Sequence, residues 1–263
     1  MGLRNKINGL REIWKFDNRW QLVSNRIFFP RESISIYRYR GLEFLNDRSA
    51  GDSNGARAVL TMPMYRQFLG DLVFDSPINL LDIGANNGGF PLLLKTAGIA
   101  IKKYAGIELN PNTFVRLRFN VEKNLGCEIS LSNAAVCGDN CTIETTLGDG
   151  STGDSIYADA EASGTKISVE GITFDEACSR HFGEEPIDLC KIDVEGAEFE
   201  IFASKHFRSI GNCKFLLMEI HQDGEKRRES VTGVLRQIGF QEIRRESERG
   251  GSEHLVHLFK KMG

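Results

Sequence analysis

The chain reads as an α/β protein of the Rossmann-like kind, a mostly parallel sheet with helices on both faces. Three observations carry that reading. From Ile78 onward, short apolar runs alternate with segments of helical period, the pattern of a parallel sheet covered on both sides. The run Asn79-Leu-Leu-Asp-Ile83 leads through Asp82 into the glycine-rich turn Gly84-Ala-Asn-Asn-Gly88, which opens a helix. The next apolar run ends in an acid, Glu108, where a Rossmann-like nucleoside site places the group that binds ribose hydroxyls.

The elements follow in order. Residues 1–30 mix Leu10, Ile13, Trp14, Phe16, Trp20 and Leu22 with basic residues, which predicts a helical segment that covers the core in preference to contacting an oligomer partner or a substrate. Ser33 to Tyr39 alternates with period two and predicts a strand. A polar loop, Arg48 to Gly55, and a helix, Pro63 to Val73, complete an N-terminal extension over residues 1–73. Within it, Met62, Met64 and Tyr65 read as ordinary helix packing in preference to a lid.

The main domain, 74–263, is expected to start with a strand at 78–83 and a helix at 88–98. Pro111 then opens a helix, tolerated in the first turn, that carries Phe114, Leu117, Val121 and Leu125 at helical spacing. The third strand is expected from Glu128 to Val136. Residues 140–170 break the alternation and read as an inserted hairpin or small extra sheet. Its Gly148-Asp-Gly-Ser-Thr-Gly153 tip and Ser163-Gly164 read as a surface loop. Alternation resumes with a helix at 174–182, a strand Ile187–Val194, a helix from Ala197, a strand Lys214–Ile220 and a helix at 225–238. A closing antiparallel pair near 240–245 and 254–259 is joined through Gly250-Gly251.

Bulk properties narrow the class. A chain of 263 residues with 41% hydrophobic and 26% charged residues can bury one sizeable core with a small appendage. A net charge of −3 gives no footprint for nucleic-acid binding, and there is no Asn-Pro-Pro-Tyr-type string of the kind that handles base amines. The six cysteines form no Cys-x-x-Cys pair and read as reduced structural thiols. With no signal-peptide core and no run of 18 apolar residues, the expectation is a soluble cytoplasmic protein without a membrane span.

The glycine-rich turn also selects the ligand. A dinucleotide site presents bare N–H groups to a pyrophosphate, with three glycines and no adjacent anion. Here Asp82 precedes the turn and Asn86 stands where the second glycine would be, so a diphosphate would be repelled. A phosphate-free ligand bearing an ammonium group fits better, and S-adenosylmethionine has that group, a sulfonium and a ribose. An NAD-linked oxidoreductase and a non-catalytic binding module on the same fold are the rival readings; titration with NAD and formation of S-adenosylhomocysteine discriminate them.

A second group of polar residues sits at later strand ends. In Lys191-Ile-Asp-Val-Glu-Gly-Ala-Glu198, Lys191 and Asp193 share a strand face and Glu195 falls in the following turn. Glu219 and His221 share a face at the end of the next strand. Because open α/β sheets bind ligands beyond the carboxyl ends of their strands, all of these gather on one rim.

Leu81-Asp-Ile-Gly-Ala-Asn-Asn-Gly88, Ile107-Glu-Leu-Asn-Pro111, Asn133-Ala-Ala-Val136, Thr173-Phe-Asp-Glu176, the Lys191–Glu198 string and Leu216-Leu-Met-Glu-Ile-His221 together resemble the motifs of the FkbM family of S-adenosylmethionine-dependent methyltransferases. The resemblance spans about residues 78–222, and Phe174 replaces the usual leucine of one motif. It implies a seven-stranded class I methyltransferase sheet with an antiparallel last strand, and O-methylation of a sugar or natural-product hydroxyl.

On this reading Asp82, Gly84, Ala85, Asn86 and Gly88 hold the amino-acid end of the cofactor. Glu108, with Leu109 and Asn110, takes the ribose, and Asn133, Ala134 and Ala135 lie beside the adenine. Asp193 borders the cofactor and, with Lys191, Glu195, Glu219 and His221, surrounds the acceptor hydroxyl, His221 or Asp193 acting as base. The same oxygens and imidazole suit a divalent metal, although their spacing matches no recognised ligand signature. The expected partner is a small-molecule or saccharide acceptor, with a homo-oligomer left open.

Overall fold

The computed structural model describes residues 12–49, 52, 55–148, 164–221, 225–247 and 254–262. Leu10, the loop tip 149–153, Ser163 and Gly250-Gly251 lie outside them.

Within the extension, α1 (Arg19–Phe28) precedes an antiparallel hairpin of β1 (Ile34–Tyr39) and β2 (Leu42–Asp47). The second of these strands was not expected. Its turn, Arg40-Gly41, has both residues at positive φ, the backbone that matches the twist of a two-residue hairpin. Phe16, Tyr37 and Phe44 pack as one aromatic group on its inner face. The short helix α2 (Ala56–Thr61) comes next. The helix expected over Pro63–Val73 is instead a single 3₁₀ segment, Arg66–Asp71. There Phe68 N–H bonds the Tyr65 carbonyl, and the three-residue spacing turns both rings into the core.

Seven strands form the main sheet: β3 (Ile78–Ile83), β4 (Ile101–Ile107), β5 (Glu128–Ser132), β9 (Ile187–Ile192), β10 (Cys213–His221), β11 (Phe240–Ser247) and β12 (His254–Lys261). Their order is β11-β12-β10-β9-β3-β4-β5, with only β12 antiparallel to its neighbours. Helices α3 (Gly89–Thr96), α4 (Pro111–Asn124), α5 (Phe174–Phe182), α6 (Glu198–Ala203) and α7 (Glu225–Gln237) connect them. Strand β3 is buried along its whole length: Leu80 joins the core on one face, Leu81 and Ile83 the core on the other. This is why its sequence is continuously apolar rather than alternating.

The expected third strand, Glu128–Val136, divides at Asn133. Its first part is β5; β6 (Ala134–Val136) leaves the sheet and pairs in parallel with β8 (Gly164–Ile172). With β7 (Cys141–Gly148) antiparallel to β8, these make a separate three-stranded sheet, the insertion expected near 140–170.

The extension is tied to the main domain through polar contacts. Asn120 and Asn124 of α4 each bond both backbone groups of a β2 residue, Leu45 and Glu43 respectively, at 2.7 and 3.1 Å in each pair. Arg116 forms a buried two-pronged pair with Asp52 at 2.7 and 2.8 Å.

Candidate active site

From β3 the chain builds outward through β4 and β5 on one side and returns to place β9 against the other side of β3, so the crevice opens where the strand order reverses. The turn after β3 is sterically demanding. Gly84 has φ +72°, and a Cβ there would lie 1.7 Å from the carbonyl oxygen of Asp193. The close approach of the two strand ends therefore requires glycine. Gly88, φ +86°, is the N-cap of α3, and Asn86 adopts φ +49°, a left-handed conformation that asparagine tolerates.

Glu108 follows β4 directly. Its two oxygens accept the backbone N–H groups of Asn86 and Asn110, both at 2.8 Å, so one carboxylate joins the glycine-rich turn to the start of α4. Asn110 caps α4 by accepting from Asn112 and Thr113 N–H. Asn133 donates to the carbonyls of Glu108 and Leu109 at 2.8 and 2.9 Å, and Ala134 N–H bonds the Glu108 carbonyl. That double clamp sets the break between β5 and β6 and brings Asn133–Ala135 beside Glu108. Ala85 is buried, and its N–H bonds the Ile107 carbonyl. The Asn86 side chain caps the N–H of Asn87 at 2.7 Å and so shapes the turn.

Asp82, expected to meet a ligand ammonium, is fully buried beneath the turn and faces Lys191 at 3.4 Å, with Tyr104 donating at 3.2 Å. Burial pushes its carboxyl up, against the opposing pull of Lys191. Lys191 itself donates to the Gly84 carbonyl at 2.9 Å and lies 3.4 Å from Asp193. Burial disfavours its charge, but Asp82 and Asp193 outweigh that and hold it above the ordinary lysine range. A buried ammonium thus links both strand ends to the turn between them.

At the end of β9, Asp193 takes a hydrogen bond from the Tyr65 hydroxyl at 2.9 Å. Although burial alone would raise its pKa, Lys191, His221 and Tyr65 bring it below the usual aspartate value. His221 lies between carboxylates: Nδ1 is 3.2 Å from Glu198, Nε2 is 3.1 Å from Glu195 and 3.7 Å from Glu219. Burial works against its charge, yet Glu195 and Glu198 push it up to about 11. The carboxylates at both ring nitrogens favour the charged imidazolium over the neutral form that the expected general base would use.

Glu198 was not among the expected residues. Its carboxylate is completely buried at the start of α6, where it accepts the N–H groups of Gly196 (2.9 Å) and His221 (2.8 Å). The last glutamate of the Lys191–Glu198 string was visible in sequence, but nothing there distinguished a buried ligand of His221 from a solvated helix residue. Tyr65 was expected as packing, which its ring does against Phe90; its hydroxyl contact with Asp193 was missed. Tyr104 was missed for the same reason.

The structure therefore gathers Asp82, Gly84, Lys191 and Asp193 in one contact network, Asn86, Glu108, Asn110 and Asn133 in a second, and Glu195, Glu219 and His221 in a third joined to the first near Asp193. Glu195, in the intervening turn, has φ +49°.

Comparison with known proteins bears on this arrangement. The family profile of the methyltransferase FkbM domain matches residues 82–252, well over half the chain. No curated protein sequence matches. Among solved structures, Trm5b from Pyrococcus abyssi is 13% identical with a TM-score of 0.51, covering 87% of this chain and 56% of its own. The methyltransferase FkbM from Methylobacillus flagellatus KT is 13% identical with a TM-score of 0.49, covering 72% of this chain and 45% of its own. The chain thus spans about half the length of each of these two, and likeness at such identity concerns the fold.

Proposed function

This chain belongs to the FkbM methyltransferase family, and we propose that it carries the methyl group of S-adenosylmethionine to a hydroxyl of a sugar, glycoconjugate or natural product. The observation that carries the reading is the Glu108 carboxylate, fixed by two backbone amides beside the glycine-rich turn. That donor set fits the cofactor: a carboxylate for vicinal ribose hydroxyls, an acidic surround for a cationic centre, and an asparagine where a pyrophosphate would need bare backbone.

Bound S-adenosylmethionine supplies an electrophilic methyl group on a sulfonium, open to in-line displacement. The protein's share is alignment and handling of the acceptor proton. The turn from Gly84 to Gly88 receives the amino-acid end, Glu108 the ribose, and Asn133–Ala135 the adenine edge. Asp82 acts beneath them by holding Lys191 against the turn. Asp193, kept ionised by Lys191 and Tyr65, accepts the hydrogen bond and then the proton of the acceptor hydroxyl. Glu195 and Glu219 orient the acceptor, and His221, paired with carboxylates on both nitrogens, keeps them in place.

An acidic rim also repels a phosphate backbone, which favours a neutral hydroxylated acceptor over RNA. No described helix is long and apolar enough to cross a membrane, and the six free cysteines suit the reducing cytoplasm.

Calorimetry with S-adenosylhomocysteine, followed by turnover of labelled donor against saccharides, natural products and tRNA, tests the proposal. Saturable binding and labelled methyl ether on a hydroxylated acceptor are expected. Absence of binding sinks the cofactor assignment, and transfer to tRNA alone sinks the acceptor class.

A further inference from the structure

We propose that Asp193, Glu219 and His221 form a divalent-cation site, of the oxygen-rich kind that takes Mn²⁺ or Mg²⁺, at the acceptor end of the crevice. One ligand atom from each of the three lies within 4.8 Å of the others. Three ligands each held about 2.1 Å from one ion stand about 3.6 Å apart or less when evenly spread, so closing the set draws the widest pair together by about 1 Å, within reach of side-chain rotation.

A cluster of acids alone would be weak ground, but two further features point to a cation. The first is what stands behind the imidazole. Glu198, fully buried, takes His221 Nδ1 at 3.2 Å and its backbone N–H at 2.8 Å, which turns Nε2 toward Glu219 and Asp193. A carboxylate behind one ring nitrogen with the other aimed at oxygen ligands is the arrangement that fixes a metal-binding histidine. The second is charge. The ion pairs of this cluster bring the Lys191 ammonium and the His221 imidazole to five carboxylates, Asp82, Asp193, Glu195, Glu198 and Glu219. A divalent cation offsets that excess where it is greatest.

With the ion in place, Nε2 releases its proton to solvent and exchanges its 3.1 Å pairing with Glu195 for the cation, Nδ1–H staying on Glu198. Two carboxylates and one imidazole leave positions open for the acceptor oxygen, whose proton the cation acidifies and whose orientation it fixes; Asp193 gives the cation one oxygen and keeps the other for that proton. The functional role rests on the methyl-transfer reading; the binding itself does not.

The experiment titrates the full chain with Mn²⁺ and follows loss of the free-ion electron paramagnetic resonance signal. One saturable site per chain is expected, displaced by Mg²⁺ and weakened roughly 10-fold or more in Glu219→Gln and in Asp193→Asn. The imidazole resonances of His221 should broaden before those of the other histidines. This readout on the unmodified chain serves even if a variant fails to fold. Lack of saturable binding, uniform broadening, or affinity that both folded variants leave unchanged overturns the proposal. Calorimetry with S-adenosylhomocysteine on metal-free protein is the separating control. Nucleoside binding without Mn²⁺ binding ends the cation site alone, and the reverse ends the donor reading alone.

Discussion

Glu108 and Asp193 are both carboxylates at the ends of strands that flank β3, yet they are held by different means. Backbone amides of Asn86 and Asn110 grip Glu108, and the neighbouring carbonyls are clamped by Asn133. Side chains grip Asp193: the Lys191 ammonium, the Tyr65 hydroxyl and, across the cluster, His221. Backbone contacts fix a shape that many sequences could not adopt. Contacts between charged side chains fix an electrostatic balance that small changes can retune. On the proposed reading, the half around Glu108 takes the nucleoside and is held by backbone, and the half around Asp193 takes the acceptor and is held by side chains.

Gly84 belongs to both halves, and its loss should erase the distinction. In Gly84→Ala the new methyl group would stand 1.7 Å from the Asp193 carbonyl oxygen, at a φ of +72° that alanine resists. The strand ends must separate. A stability loss on the order of 4 kcal/mol in thermal unfolding is expected, together with loss of S-adenosylhomocysteine binding and of turnover. An alanine variant of near-normal stability that still binds the nucleoside would show that the two halves are not joined there.

Glu108→Gln acts on one half only. It leaves the size unchanged but turns one charge-assisted acceptor into an amide donor facing a backbone N–H. Each such bond contributes about 1.5–3 kcal/mol, so nucleoside affinity should fall roughly 10- to 100-fold by calorimetry. Turnover at saturating donor should stay within about threefold, because the proton-handling groups are untouched. A larger fall in kcat than in affinity would mean that Glu108 serves the acceptor.

Acid sensitivity offers a comparison of the two halves by stability rather than activity. His181, beneath β5, sits buried between the hydroxyls of Ser130 and Ser132, and burial pushes it down to about 4. Between its unfolded value near 6.5 and about 4, the unfolded chain binds a proton that the native state refuses. Stability therefore falls as pH drops through that window and levels off below it. At about 1.4 kcal/mol per unit, the loss approaches about 3 kcal/mol. Chemical denaturation from pH 7.5 to 4 should show this slope in the parent and a shallower one in His181→Gln. His257, buried on β12 and likewise lowered to about 4, keeps its own share in that variant. An unchanged slope would place the acid-sensitive group elsewhere.

The nucleoside half was legible in the sequence because its demands fall on neighbouring residues. A turn that needs glycine, and an acid directly after the next strand, leave a local signature around Gly84 and Glu108 whatever the rest of the chain does. The main sheet was legible for a similar reason, since β3 buried on both faces must read as a continuous apolar run. The rest depended on contacts between distant segments. Glu128–Val136 has uniform strand character, and only the Asn133 clamp on Glu108 and Leu109 divides it. Pro63–Val73 looked helical until Tyr65 and Phe68 were drawn inward at three-residue spacing. Glu198 resembled any first-turn acid, and the Tyr65 hydroxyl meets a partner 128 residues away.

That last contact gives the smallest and sharpest test. Tyr65→Phe keeps the ring, its edge-on packing against Phe90 at 5.4 Å and the cation–π contact with Lys191, and removes only the donor to Asp193. Because Lys191 still holds the same carboxylate at 3.4 Å, the loss should be one hydrogen bond to a charged group rather than collapse of the cluster. About 1 kcal/mol of transition-state stabilisation corresponds to roughly a fivefold lower kcat, with nucleoside affinity and melting temperature nearly unchanged. If affinity falls and kcat does not, Tyr65 belongs with the nucleoside half. The division between a backbone-held and a side-chain-held crevice would then be drawn at the wrong residue.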